Sequence, residues 1–263
     1  MPEGHTLHRI AVDHSKILRG KLVAVSSPQG RFAAAAALVD GVRLRRLEAY
    51  GKHLFYFWAN GLVGHVHLGL FGRFRVYRDL VPTDAATVRM RMTVPKATID
   101  LIGPTNCTIG TADDRDRIVA RLGPDPLRDD ADPQKAYAAI VRRVAPLGQL
   151  ILDQKVISGI GNVYRAEALF VNHINPMRPG KQITPTDFEA LWATIVQMLR
   201  RGFAEDRIVT LDREEFDVPT GLARRGDTTY VYHRDICLRC GSPILTVELG
   251  GRACYYCPVD QPL

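Results

Sequence analysis

The chain has 263 residues, with 35 Lys and Arg against 28 Asp and Glu for a formal charge of +7, and a sequence pI near 9.3. That length supplies one large or two ordinary cores, and the positive balance favours a polyanionic partner. The first residues lack the apolar run of a secretory signal and Ala33–Val39 is too short to span a bilayer, so a cytoplasmic protein is expected.

Leu7, Ile10, Ala11, Ile17 and Leu18 recur at helical spacing, with Pro2 suited to the first turn and Glu3 placed where a negative charge meets the positive helix end. Short segments rich in β-branched and aromatic residues follow: Lys21–Val25, Val42–Ala49, His53–Trp58, Leu62–Leu68, Phe74–Tyr77, Val88–Thr93 and Thr98–Ile102. Their spacing predicts an antiparallel sandwich or barrel. Val88 to Met92 alternates, predicting one wet and one dry face. The turn-like Leu122–Leu127 and the acidic run to Pro133 mark a boundary.

Beyond it the period becomes helical. Tyr137, Ile140, Val141 and Val144 share a face, and Thr184–Phe203 reads as a long helix with a Thr184 cap, Pro185 first and Asp187 in the first turn. From about Gly226 the pattern is hairpin-like, turning at Gly250-Gly251.

Three groups of residues carry chemistry. If Met1 is removed, Pro2 becomes a secondary amine beside the Glu3 carboxylate. An α-amino group titrates at roughly 7.7–8.0, against about 10.4 for lysine, so a useful fraction is nucleophilic near neutrality. Ser158-Gly159-Ile160-Gly161-Asn162 opens a helical stretch, where backbone N–H groups and the Asn162 amide can meet a phosphate. Four of the five cysteines, Cys237, Cys240, Cys254 and Cys257, crowd near the end, which in a reducing compartment points to metal rather than disulfides.

Six motifs occur in order: Met1-Pro2-Glu3-Gly4-His5, Gly51-Lys52-His53-Leu54, His67-Leu68-Gly69-Leu70-Phe71-Gly72, Leu152-Asp153-Gln154, Gly159-Ile160-Gly161-Asn162-Val163-Tyr164, and the finger Cys237-Leu238-Arg239-Cys240-Gly241. In this order they resemble the formamidopyrimidine-DNA glycosylase/endonuclease VIII family, most closely its actinobacterial endonuclease VIII type. The resemblance implies an α+β chain of three parts: an N-terminal helix with an antiparallel β-sandwich over 1–128, a helix-two-turn-helix DNA-binding region over 129–228, and a zinc-finger hairpin over 229–263. It implies a base-excision-repair enzyme, a bifunctional DNA glycosylase and abasic-site lyase. Pro2 attacks C1′ of a damaged nucleotide, expels the base and forms an imine that drives β,δ-elimination, with Glu3 as acid/base. Lys52 is the strand lysine near a phosphate, Leu70 and Phe71 fill the gap left by the everted base, and Gly161 and Asn162 clamp the backbone. Arg252 is the finger arginine.

Oxidised-purine members of that family carry an Asp-x-Arg-basic-aromatic-Gly stretch that Asn106–Asp116 lacks, so oxidised pyrimidines are expected. The finger departs from the family pattern, which places Cys257 third and Asp260 fourth and has no ligand at Cys254. Cys237, Cys240 and Cys257 are ligands on this reading. Cys254, Asp260 and His233 compete for the fourth place, with the choice leaning to Cys254 because structural zinc prefers thiolate. The implied partner is damaged DNA, the implied metal a structural zinc; no small-molecule cofactor or membrane is expected, and a nucleoid-associated monomer is the default. The competing class is a non-catalytic damaged-DNA-binding protein that keeps the fold.

Overall fold

The structure, a computed structural model, describes residues 2–83, 85–212, 214–216 and 227–263. Contacts divide the chain into two units, one of Leu7–Arg121 with the residues up to Glu3, the other of Gly4–Thr6 with Leu122–Leu263. Met1, whose removal the nucleophile reading requires, and the expected change of pattern near Gly226 lie outside the described residues.

Helix α1 (Gly4–Leu18), which belongs to the first unit from Leu7 onward, buries Leu7, Ala11 and Leu18, with Ile10 and Ile17 packed beside them. This is the face that the 3.6-residue period predicts. Pro2 precedes the helix rather than opening its first turn, because Glu3 is extended at the N-cap (φ −119°, ψ −179°). The strands are β1 (Leu22–Ser26), β2 (Val42–Tyr50), β3 (His53–Trp58), β4 (Val63–His67), β5 (Arg73–Arg78), β6 (Val88–Val94), β7 (Ala97–Ile102) and β8 (Asn106–Gly110). Two short helices join them, α2 (Ala33–Ala37) after β1 and α3 (Ala112–Val119) after β8.

The strand order is β5-β7-β6-β1-β2-β3-β4-β8. Strand β1 pairs with β2 through Leu22 and Val23 and then with β6 through Ala24 to Ser26. It thus passes from one half of the sandwich to the other. Val23, Leu44, Leu54, Tyr56, Met92, Ile99 and Leu101 fill the core.

Two expectations change here. Strand β8 was not anticipated: Asn-Cys-Thr-Ile-Gly is short and mostly polar, and its pairing with β4, from Val63↔Gly110 to His67↔Asn106, makes it a strand. The wet face of β6 is not wet at Arg91, which is buried and donates to both Asp100 oxygens at 2.7 Å. Asp100 stands directly opposite it on β7.

The second unit holds α4 (Pro133–Val141), α5 (Leu147–Leu150), α6 (Asn162–Val171) and α7 (Pro185–Glu205). Helix α7 starts as expected, with a reciprocal capping box between Thr184 and Asp187. Ile140, Leu147, Ile157, Tyr164, Phe188, Leu191 and Ile195 form its core. The Leu122–Leu127 turn belongs to this unit: the Gly123 amide donates to Gln154 O at 2.9 Å, and a Cβ on Gly123 would lie 2.3 Å from Val156 O. The chain ends in the hairpin of β9 (Leu245–Leu249) and β10 (Arg252–Tyr256), turning through Gly250 and Gly251, both at positive φ. Among the described residues no helix is long and apolar enough to cross a membrane.

Candidate active site and metal centre

Pro2 is half-buried and Glu3 fully buried. The Glu3 side chain does not cap α1. The next residues are clamped. Gly4 N donates to Gly159 O at 2.7 Å, a Cβ on Gly4 would lie 2.9 Å from Gly159 Cα, and the His5 ring meets Tyr164 edge-on at 5.3 Å.

Gln154 holds the glycine turn in shape. Its Nε2 donates to Leu152 O and Ile160 O at 2.9 Å, and its Oε1 accepts from Gly159 N at 3.0 Å. The turn itself, Ser158 to Asn162, is buried rather than an open cradle. Gly161 is the N-cap of α6. The Asn162 amide donates to Ala253 O at 2.9 Å and its oxygen accepts from Arg165. Asn162 thus ties α6 to β10.

Sequence reasoning missed two charged residues of α6. Arg165, fully buried, donates to the carbonyls of Gly148, Leu249, Arg252 and Ala253. It therefore fixes the backbone of Arg252, whose side chain is exposed at the start of β10. The buried Glu167 carboxylate accepts from Tyr230, Val231 and Tyr232 N at 2.6–2.9 Å and from the Thr210 hydroxyl. Burial pushes its pKa up against the pull of those bonds. The signal was present in the sequence: two opposite charges two positions apart in an otherwise apolar helix.

In the first unit, Lys52 sits half-buried in the two-residue turn Gly51-Lys52 between β2 and β3, with Gly51 at φ +54°. A glycine in first place suits such a hairpin turn. His53 and His67 pair across β3 and β4, so the Leu68–Gly72 turn lies at the same end of that hairpin. Gly69 is at φ +67° and a Cβ there would overlap Thr105 Oγ1; Gly72 N closes the turn on Leu68 O at 3.0 Å. The turn puts Leu70 at 49% and Phe71 at 82% exposure. They are not core residues of the hairpin. Asn106–Asp116 forms β8 and the first part of α3.

The candidate metal centre brings together Cys237, Cys240, Cys257 and Asp260, whose ligand atoms all lie within 4.8 Å of one another. Cys237 Sγ is 3.1 Å from Asp260 Oδ2 and Cys240 Sγ 3.4 Å from Cys257 Sγ. A tight knuckle shapes the first pair: Gly241 N donates to Cys237 O at 3.0 Å, with Gly241 at φ +72°. Three sulfurs and one carboxylate oxygen at this spacing can hold a metal ion.

Cys254, favoured in the sequence as fourth ligand, is not among these four residues. Cys254 is fully buried opposite Val247 among the apolar residues around Val163 and Phe170. Its thiol is enclosed there, and burial pushes its pKa up. His233 is not in the cluster either; its Nδ1 lies 3.2 Å from the Tyr255 hydroxyl.

Residues 1–105 match the formamidopyrimidine-DNA glycosylase N-terminal domain and residues 122–213 the formamidopyrimidine-DNA glycosylase H2TH domain. The chain is 46% identical to the Mycobacterium tuberculosis protein named endonuclease 8 1, over 99% of this chain and 100% of that one. It belongs to the formamidopyrimidine-DNA glycosylase family of DNA-repair enzymes. A formamidopyrimidine-DNA glycosylase of Nocardioides is 31% identical, over 98% of this chain and 88% of its own length. Among solved structures, this glycosylase-family chain resembles the MutM (Fpg) protein of Thermus thermophilus (TM-score 0.79, 26% identity, 99% and 98% of the two chains). It shares its fold with Lactococcus lactis Fpg, solved with DNA containing N7-benzyl-Fapy-dG (TM-score 0.82, 18% identity, the whole of both chains).

Proposed function

We propose that this family member is a bifunctional DNA glycosylase and abasic-site lyase acting on oxidised pyrimidines in DNA. The N-terminal amine of Pro2 attacks C1′ of the damaged nucleotide and the C1′–base bond breaks, with the base leaving protonated. The C1′–O4′ bond then breaks with a proton delivered to O4′, leaving the nitrogen and C1′ joined as an iminium ion, and successive loss of the 3′ and 5′ phosphates cleaves the strand. Glu3 serves as acid/base for opening the sugar. The observation that most supports this reading is the clamp on Gly4, because it leaves Pro2 two residues from an anchored backbone amide beside a buried carboxylate. Rigid placement of a nucleophile next to its acid/base partner is worth orders of magnitude in rate.

Lys52 and Arg252 contact the DNA backbone near the everted nucleotide, Gly161 and Asn162 support it, and Leu70 and Phe71 enter the vacated stack. The preference for pyrimidines rests on the missing Asp-x-Arg-basic-aromatic-Gly stretch. Cys237, Cys240, Cys257 and Asp260 would hold a structural zinc ion, whose charge would draw the knuckle and the end of the hairpin together and keep Arg252 in place. The enzyme works as a monomer on DNA in the cytoplasm.

Borohydride reduction in the presence of duplex DNA bearing an abasic site or an oxidised pyrimidine should give a covalent adduct through Pro2. A protein with a verified proline N-terminus that binds such DNA yet gives neither adduct nor strand breaks would overturn the reading and favour a non-catalytic binder.

A further inference from the structure

One face of β3, β4 and β8 carries a group of imidazoles that neither the nucleophile nor the metal cluster uses. Alternation puts His53 and Phe55 on this face of β3, His67 and His65 opposite them on β4, and Asn106 and Thr108 next on β8. His65 engages both ring nitrogens: Nδ1 lies 2.8 Å from the Asn106 amide nitrogen and Nε2 lies 2.9 Å from His53 Nδ1. The His67 ring is 4.9 Å from that of His53, and Phe55 stacks on His65 at 5.0 Å. This relay uses neither His53 Nε2 nor the His67 nitrogens.

The surroundings of the relay are cationic. Lys52 and Arg121 act on His53, and Lys52 on His67. The carboxylates on the packed elements are held elsewhere: Glu48 on β2 by Arg46 and Arg115, Asp116 and Asp114 on α3 by Arg115 and Arg117. Tyr50 and Thr108, on the neighbouring strands, are neutral. Burial first, and then neighbouring groups (His65, His67, Lys52 and Arg121 for His53, His67 for His65, Lys52 for His67), hold His53 at about 3 and His65 at about 4 and push His67 down. The histidines are therefore neutral in the free protein, in a setting that an anion would reverse.

Resting on the reading that Lys52 faces DNA, we propose that His53, His65 and His67 form with Lys52 a phosphate site that takes up a proton when a DNA phosphodiester docks. The added proton comes from solvent and enters at His53. His53 then donates from Nδ1 to His65 Nε2, and His65 donates from Nδ1 to the Asn106 amide, which turns its oxygen to accept. No bond to the phosphate forms or breaks. Because binding raises the histidine pKa, affinity gains are full below the bound-state value and are lost as pH rises through it. The limit is about tenfold in affinity per pH unit for one proton.

The test is calorimetry of the full-length protein with a duplex carrying a tetrahydrofuran abasic analogue, at about pH 6.5 in two buffers of different ionisation enthalpy. The wild type should take up protons and bind several-fold more tightly at about pH 6 than at about pH 7.5. The double variant His53→Gln/His65→Gln should bind with uptake reduced by about one proton. Heats that are identical in both buffers would overturn the proposal, as would uptake unchanged in the folded double variant. If that variant fails to fold, histidine side-chain nitrogen NMR of the wild type replaces it: shifts that stay neutral on adding DNA would also overturn it. A wild type that binds no duplex removes the Lys52 reading first and this site with it, whereas binding without proton uptake removes only this site.

Discussion

The amide of Gly4 and the carbonyl of Gly159 share a 2.7 Å hydrogen bond, joining the residue that starts α1 to the turn that starts α6. Two residues whose separation in sequence hides any relation are thus fixed against each other, and Pro2 and Glu3 are carried on the end of that link.

A methyl group has no room there. Gly4→Ala places a Cβ 2.9 Å from Gly159 Cα and 3.1 Å from its oxygen, a backbone collision that costs about 1–3 kcal/mol of stability. The yield of the borohydride-trapped adduct should fall by about tenfold or more, since displacement of reacting groups by about 1 Å can cost on the order of 100-fold in rate. Urea unfolding and trapping on the same preparation measure the two effects separately.

The turn that carries Phe71 should behave oppositely. Phe71 is 82% exposed, so Phe71→Ala should change stability by less than about 0.5 kcal/mol while lowering turnover on duplex substrate. Substrate whose lesion is already unpaired should be affected less, because less of the stack has to be filled. Equal losses on both substrates would remove the wedge role.

The finger makes a prediction about metal alone. Asp260→Ala and Cys257→Ser should each weaken zinc binding by more than the ~10–100-fold typical of an outer-shell change, and Asp260→Cys should tighten it. Cys254→Ser should leave the zinc content at that of the parent. Chelator competition on purified protein reads all four, and a loss of zinc in Cys254→Ser would restore Cys254 as a ligand.

The Arg91–Asp100 pair is buried on both sides. Asp100→Ala leaves the guanidinium without its two 2.7 Å bonds and should cost about 3–5 kcal/mol in urea unfolding. Replacing both residues with apolar ones of similar size should cost much less, because no buried charge is then stranded.

Stability should also decline in mild acid. His14, buried with its Nδ1 2.8 Å from the Tyr56 hydroxyl, is held at about 3 by burial. Above the ordinary histidine pKa it is neutral in both folded and unfolded chains and its contribution is complete. As pH falls from about 6.5 toward the folded value, only the unfolded chain takes the proton, and stability is lost at about 1.4 kcal/mol per pH unit. His14→Phe should lessen the slope by about that amount in denaturant titrations at successive pH values.

The seven strands read from β-branched and aromatic runs, the Thr184–Asp187 cap, the Gly250-Gly251 turn and the family itself were all legible in the sequence. They depend on near neighbours, or on motif order along the chain. Strand period, capping and turn chemistry are local preferences, so a few consecutive residues contain the whole physical cause.

Other features needed the fold. Asn106–Gly110 is a strand because β4 lies beside it, and Arg91 is buried because Asp100 stands across from it. Asp260 rather than Cys254 joins the cluster because the turn after β10 folds Asp260 back on Cys257, its amide 3.4 Å from that sulfur. The relay from Asn106 through His65 to His53 exists because three strands from distant parts of the sequence share one face. Sequence by itself determined which kinds of chemistry this chain could contain and where its elements begin. Only the tertiary structure decided which polar groups meet, because a buried donor, acceptor or charge is settled by partners that pairing brings in from elsewhere in the chain.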